Sequence, residues 1–204
     1  MTKRQKRTGK ICRGLMENLW GDPKCPLIKK NYPPGQHGPT IRRKLTPYGI
    51  QFRETKKMQR YYGMQEKQYR RALHEAKRLK GDTGENFVGL LESRLQSFIY
   101  RTVFVPTIAG ARQLINHGHV LVNGKKVTIP SYRLKEGDVV SLTDAGQKIP
   151  MVMECAQNPA RTQPEYIEAD YTKFEAKYIR VPALSDIPYP FQADPSYTIE
   201  MYSK

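Results

Sequence analysis

From Lys44 to Lys80 the chain holds 11 Lys/Arg against three carboxylates, Glu54, Glu66 and Glu75, while its apolar residues recur at helical spacing. Few folded states tolerate that combination. Like charges at i,i+4 repel, so helices this basic are not stabilised by their own charge pairs. They need an apolar face against a core and an external anion against the remainder. The spacing predicts a first helix over residues 47–62, with Thr46 as N-cap, Pro47 at the first helical position and Gly63 as the stop. Phe52, Thr55, Met58 and Tyr62 share one side, whereas Arg53, Lys56, Lys57 and Arg60 line another. A second helix over residues 65–80, closed by Gly81, carries the stripe Tyr69, Leu73, Ala76 and Leu79. Lys67, Arg70, Arg71, His74, Lys77 and Arg78 cover its other faces.

The rest of the chain does not share this charge. Residues 1–80 hold 22 Lys/Arg and 5 Asp/Glu, whereas residues 81–204 hold 13 and 14. A generic solubilising surface does not segregate in this way. The excess points to a polyanion, nucleic acid ahead of an anionic membrane surface. No apolar run approaches the length of a membrane span. The start, with Lys3, Arg4, Lys6 and Arg7, has no apolar segment after it and does not read as a secretory signal. Three cysteines are an odd and sparse set, which fits a reducing compartment. Gly-rich phosphate loops and the H-E-x-x-H and G-x-S-x-G patterns are missing, so neither an enzyme nor a cofactor or small-molecule substrate is expected. Asp82, Glu85 and Glu92 read as helix-terminus charges and salt-bridge partners instead.

Residues 1–44 are dense in Pro and Gly and read as an extended basic arm, anchored by Trp20, Leu27 and Tyr32 and ordered on a partner. A third helix is expected over residues 85–101, where Phe87, Leu90, Leu91, Leu95, Phe98 and Ile99 form one stripe. Arg94 falls inside that stripe, so it either snorkels to an edge or pairs with a carboxylate or phosphate. Thr107 caps a short helix that ends at Gly118, and Asn123-Gly124 between apolar runs marks a hairpin. "EGDVVSL" reads as a turn and a strand, "YIEADYTKFEAKYIRV" as two edge strands, "PALSDIPYPFQADP" as a surface strap and "YTIEMYS" as a last strand. His117 and His119 raise the question of a metal, but nearby Cys or carboxylate ligands are lacking.

The blocks "ESRLQSFIYR" and "ARQLINHGHVLVNGKKVTIPSYRLKEGDVV" resemble the S-four RNA-binding module. With "PPGQHG" at Pro33–Gly38, "KGDTGEN" at Lys80–Asn86 and the terminal "YSK", nearly the whole chain resembles the S-four family of the small ribosomal subunit. The strap "VPALSDIPYP" resembles alphaproteobacterial and mitochondrially encoded members.

The resemblance implies an α+β fold. A basic helical domain is interrupted by a small α/β RNA-binding module of short helices and a twisted antiparallel sheet, and a C-terminal segment returns to the helical domain. The expected division is residues 1–44 as arm, 45–93 with 156–204 as helical domain and strap, and 94–155 as module. The implied function is a structural constituent of the small subunit. It would bind a multi-helix junction in the 5′ domain of small-subunit ribosomal RNA, nucleate assembly and lie beside the channel through which messenger RNA enters. The implied partners are that RNA and the S-five protein, on a ribosome in the bacterial cytoplasm or in mitochondria. Competing readings are a free translational regulator or RNA chaperone, and an RNA-modifying enzyme that uses the same module.

Candidate RNA contacts are Lys3, Arg4, Lys6 and Arg7 in the arm, then Gln36 and His37 in a glycine-bracketed loop. Arg42, Arg43, Lys44, Arg53, Lys56, Lys57, Arg60, Lys67, Arg70, Arg71, Lys77, Arg78 and Lys80 form the basic helical region. Arg94, Arg112, His117, Lys125, Lys126 and Arg133 belong to the module. Tyr61 and Tyr62 are expected to be partly core rather than stacked on bases. Some members of the family carry a four-cysteine zinc cluster in the arm. Here Cys12 and Cys25 are at most its remnant, with His37 as a conceivable third ligand and a fourth lacking.

Overall fold

The computed structural model describes residues 8–40, 44–159 and 161–203. Lys3, Arg4, Lys6, Arg7, Arg42 and Arg43 lie outside the described residues. Two compact units are formed, Met1–Leu73 with Tyr189–Lys204, and His74–Pro188.

In the first unit, residues 8–40 are less extended than their composition suggests. Helix α1 (Thr8–Leu15) and the single turn α2 (Pro26–Lys29) pack together, and α1 also packs on α3 (Pro47–Tyr61). The anchors are Ile11, Cys12, Leu19 and Cys25, all buried, rather than Trp20, Leu27 and Tyr32. Arg13 completes the arm by donating to the Tyr32 and Pro33 carbonyls at 3.1 Å each, with its guanidinium over the Tyr32 ring. Helix α3 begins as expected, since Thr46 Oγ1 accepts from the Gly49 N–H. Its Tyr61 and the following Tyr62 are buried against Tyr189 and Phe191. Those aromatics belong to the returning C-terminal segment.

That segment ends in a helix, α10 (Ser196–Met201), where a strand is expected. Asp194 Oδ1 accepts from the Ser196 N–H and Pro195 supplies helical backbone at the start. Thr198 is then buried against the Tyr69 hydroxyl. A short segment with helix-starting residues and a waiting partner overrides its alternating pattern. Helix α4 (Glu66–Ala76) also departs from expectation, because it stops four residues before Lys80. Leu79, placed in its stripe, is consequently exposed.

The second unit corrects the third helix. Two helices occur, α5 (Thr83–Glu92) and α6 (Leu95–Arg101). Arg94 between them has extended backbone, and the Leu95 and Gln96 N–H groups donate to the Tyr132 and Pro130 carbonyls. A passing irregular segment, residues 130–134, supplies partners that the preceding turn otherwise would. The apolar period runs on through the break because both helices bury the same kind of face, Phe87, Val88 and Leu91 in α5 and Leu95, Phe98 and Ile99 in α6.

Helix α7 (Ile108–Asn116) follows, capped by Thr107 as expected. The sheet contains β1 (Val120–Val122), β2 (Lys125–Lys126), β3 (Val139–Leu142), β4 (Ile167–Asp170) and β5 (Glu175–Tyr178), with α8 (Asp144–Gln147) and α9 (Pro150–Gln157) between β3 and β4. All pairings are antiparallel, in the order β2-β1-β3-β5-β4. The hairpin turn is as read: Asn123 and Gly124 both have positive φ. Asn123 also reaches across to β3, accepting from the Val139 N–H at 3.0 Å. Of the two expected edge strands only β4 is an edge. β5 lies inside, with Val140 opposite Ala176, so residues 167–178 extend the module's own sheet.

Beneath these helices sits an ion pair, Glu92 with Arg101, 1% and 6% exposed. The guanidinium donates to both carboxylate oxygens, at 2.7 Å from Nη2 to Oε1, and Tyr166 adds a third donor to Glu92.

Candidate nucleic-acid interface

The loop around Gln36 and His37 exposes both side chains. Gly35 has φ +112°, which favours glycine. Gly38 has an internal reason for lacking a side chain, since a Cβ there would sit 2.0 Å from the Pro33 carbonyl oxygen. Close approach of RNA is not needed to explain it. Cys12 and Cys25 are buried free thiols, and burial pushes the Cys12 thiol up to about 11. Among the described residues no group of three His, Cys, Asp or Glu side chains converges, and His37 is exposed. Lys10, Lys24, Lys29 and Lys30 are exposed bases of the arm that sequence reasoning passed over, with charge as their only signal.

Helices α3 and α4 treat their bases differently. On α3, Arg53 donates to the Leu15 carbonyl at 2.7 Å. Lys57, whose side chain is 12% exposed, lies 3.1 Å from Glu17 and 2.8 Å from Glu54. Lys56 pairs with Glu66 and donates to Gln59 at 2.8 Å. Arg60 is half-buried. Arg53, Lys56 and Lys57 thus tie the helical unit together. On α4, Lys67, Arg70, Arg71 and His74 are exposed. Arg70 lies 4.9 Å over the Tyr202 ring and 3.7 Å from Glu66, which orients its guanidinium without enclosing it. Lys44, at the approach to α3, is also exposed.

Glu66 organises this junction. Burial alone raises its pKa, but hydrogen bonds from Lys56 and Tyr202 outweigh that, and the carboxyl stays below its ordinary value.

In the second unit Lys77, Arg78 and Lys80 are exposed after α4. The module then gathers three arginines. Arg94 and Arg133 face each other in an antiparallel bridge. Arg112 of α7 is near enough that it and Arg133 both disfavour the Arg94 charge. With burial as the larger cause, the Arg94 guanidinium is pushed down to about 10. Arg94 is half-buried, and among the described residues the nearby carboxylates Glu92 and Glu75 pair with Arg101 and Arg133 instead. Arg133 differs. It forms a two-point pair with Glu75, with Nη2 donating to Oε2 at 2.6 Å. Nothing in the sequence flags Glu75 as that partner, because 58 residues separate the two.

Lys125 and Lys126 on β2 are exposed, as is His117. The Lys126 stem lies over Gly118, where a Cβ would meet Lys126 Cε at 2.2 Å. Gly118, with φ +74°, thus both ends α7 and seats that lysine. His119 is half-buried, and its carbonyl accepts from the Thr143 N–H at 3.0 Å.

The chain matches two known domain types. Residues 3–92 match the ribosomal protein S4/S9 N-terminal domain and residues 93–140 match the S4 domain. The chain is 48% identical to the small ribosomal subunit protein uS4 of Dinoroseobacter shibae. It is 50% identical to the proteins of that name from a Ruegeria strain and from Brucella abortus. Each match covers 100% of both chains.

Proposed function

The chain belongs to the small ribosomal subunit protein uS4 family, and we propose that it is a structural, non-catalytic constituent of the small ribosomal subunit. In this reading it binds a multi-helix junction in the 5′ domain of small-subunit ribosomal RNA and nucleates folding of that site. It then remains beside the S-five protein, near the channel through which messenger RNA enters. The bacterial relatives favour a bacterial ribosome.

The observation that carries the proposal is the bridge that sets Arg94 opposite Arg133, with Arg112 also near Arg94, so that like charges gather where Arg94 and Arg112 are half-buried. Such a cluster is relieved by an anion from outside, and RNA phosphate supplies one. The exposed bases Lys67, Arg70 and Arg71 of α4 give a second attachment surface. Two surfaces on one RNA raise the effective concentration of the second contact once the first has formed. A helix beside a small twisted sheet reads structured RNA mainly by shape, through phosphates and 2′-hydroxyls.

The test is binding to a transcript of the RNA 5′ domain across a salt series, with sedimentation of cell extracts alongside. A steep negative salt slope and retention on small subunits through high-salt washing are expected. Absence from small subunits defeats the ribosomal reading. Equal affinity for an unrelated folded RNA defeats the claim of specificity.

A further inference from the structure

The pairing of Arg133 has a cost that the rest of the cluster makes visible. Leu95 N–H donates to the Tyr132 carbonyl and Leu134 N–H to the Ser93 carbonyl, each at 2.8 Å. Arg94 and Arg133 are therefore the non-hydrogen-bonded pair of the bridge, the closer kind, with Cα atoms roughly 4.5 Å apart. Their side chains leave on one face, and like charges placed directly opposite destabilise each other. Arg112 adds a third positive charge to Arg94's surroundings. Among the described residues the carboxylate that answers this cluster is Glu75, and it engages Arg133 through both oxygens. The two side chains are 42% and 44% exposed, so solvent and ligands reach the pair.

A two-point carboxylate on an arginine has the geometry that a phosphate would adopt there. We propose that Glu75 is an internal stand-in for an RNA phosphate, holding Arg133 in the free protein and giving it up when RNA binds. This rests on the RNA-binding reading above and adds to it a positioning and gating residue. Arg133 is kept oriented and its charge masked until a phosphate arrives. An exposed ion pair is weak enough to be exchanged in this way. A stray anion has little to gain from displacing Glu75, because it engages one arginine. An RNA that also supplies phosphates to Arg94 and Arg112 offsets the lost pair several times over. The latch therefore favours a ligand with the correct phosphate spacing. Arg78 lies near enough to Glu75 to help hold it ionised, after the Arg133 hydrogen bond.

The experiment is a double-mutant cycle on the full chain, with the 5′-domain transcript as probe and salt as variable. Glu75→Gln is expected to bind roughly twofold to fivefold tighter, the scale of one exposed ion pair. Arg133→Gln is expected to bind more weakly, with the salt slope smaller by about one phosphate contact. The gain from Glu75→Gln must disappear in the Arg133→Gln background, since the latch then has nothing to hold. Unchanged or weaker binding by Glu75→Gln overturns the proposal, as does a gain that persists without Arg133, which would be general charge repulsion. Wild-type protein without salt-dependent binding to the transcript overturns the RNA-binding reading and the latch together. Salt-dependent wild-type binding with no Glu75 effect overturns the latch alone.

Discussion

Helices α3 and α4 come from one continuous basic stretch and present their charges in opposite ways. On α3 the side chains of Arg53, Lys56 and Lys57 turn to a carbonyl or to Glu17, Glu54 and Glu66 within the unit. On α4 the side chains of Lys67 and Arg71 stay in solvent, and that of Arg70 remains exposed while resting against Tyr202 and Glu66. The second unit repeats the contrast, with Arg101 sealed onto Glu92 while Arg94 and Arg112 share a cluster. A count of bases therefore overstates the surface available to RNA. Which bases find a carboxylate at home decides which remain for a ligand.

The contrast can be broken in several ways, with the largest effect at the buried pair. Arg101→Met leaves Glu92 charged and desolvated, at a cost of about 3–5 kcal/mol in denaturant unfolding. A loss below about 1 kcal/mol would show that the carboxylate's other donors, Tyr166 among them, satisfy it without Arg101. Next comes α4: Arg70→Glu with Arg71→Glu is expected to weaken binding to the 5′-domain transcript roughly 10–100-fold, with only a small fall in Tm from the lost contacts of Arg70 with Tyr202 and Glu66. If Tm falls while affinity holds, that face is structural. Lys57→Ala should do the reverse. It leaves Glu17 and Glu54 unpaired and lowers stability by about 1–2 kcal/mol, with the salt slope of RNA binding unchanged. A reduced slope would place Lys57 on phosphate after all.

The smallest effect is the pH dependence of Glu66. Its pKa is lowered in the folded chain, so its stabilising contribution is present above the ordinary carboxylate value of 4.5 and is lost as pH falls through the folded value. Thermal melts of wild type should fall away in that acid window more steeply than those of Glu66→Gln. Parallel curves would remove Glu66 from its organising role.

Much of this was legible in advance where the signal is local. Thr46 and Thr107 cap the helices they precede, Asn123-Gly124 makes the hairpin, and Tyr61 and Tyr62 are buried. Such features depend on a few neighbouring residues and on backbone conformations that only some residues adopt. Legibility failed where a distant partner intervenes. The helix over 85–101 breaks at Arg94 because residues 130–134 take up its backbone bonds. Residues 196–201 form a helix because Pro195 starts it and the Tyr69 hydroxyl meets Thr198. Glu75 could not be found as the partner of Arg133 from spacing, since their approach depends on how separate elements pack.

By itself the sequence determined the charge of this protein, its segregation into the first 80 residues, the helical periods and the turn that starts the sheet. Those follow from composition and from short-range geometry. Only the tertiary structure decided which positive charges are neutralised internally and which are left for a polyanion. Ion pairing depends on separations of a few ångströms and on local desolvation, and neither quantity exists until the chain has folded.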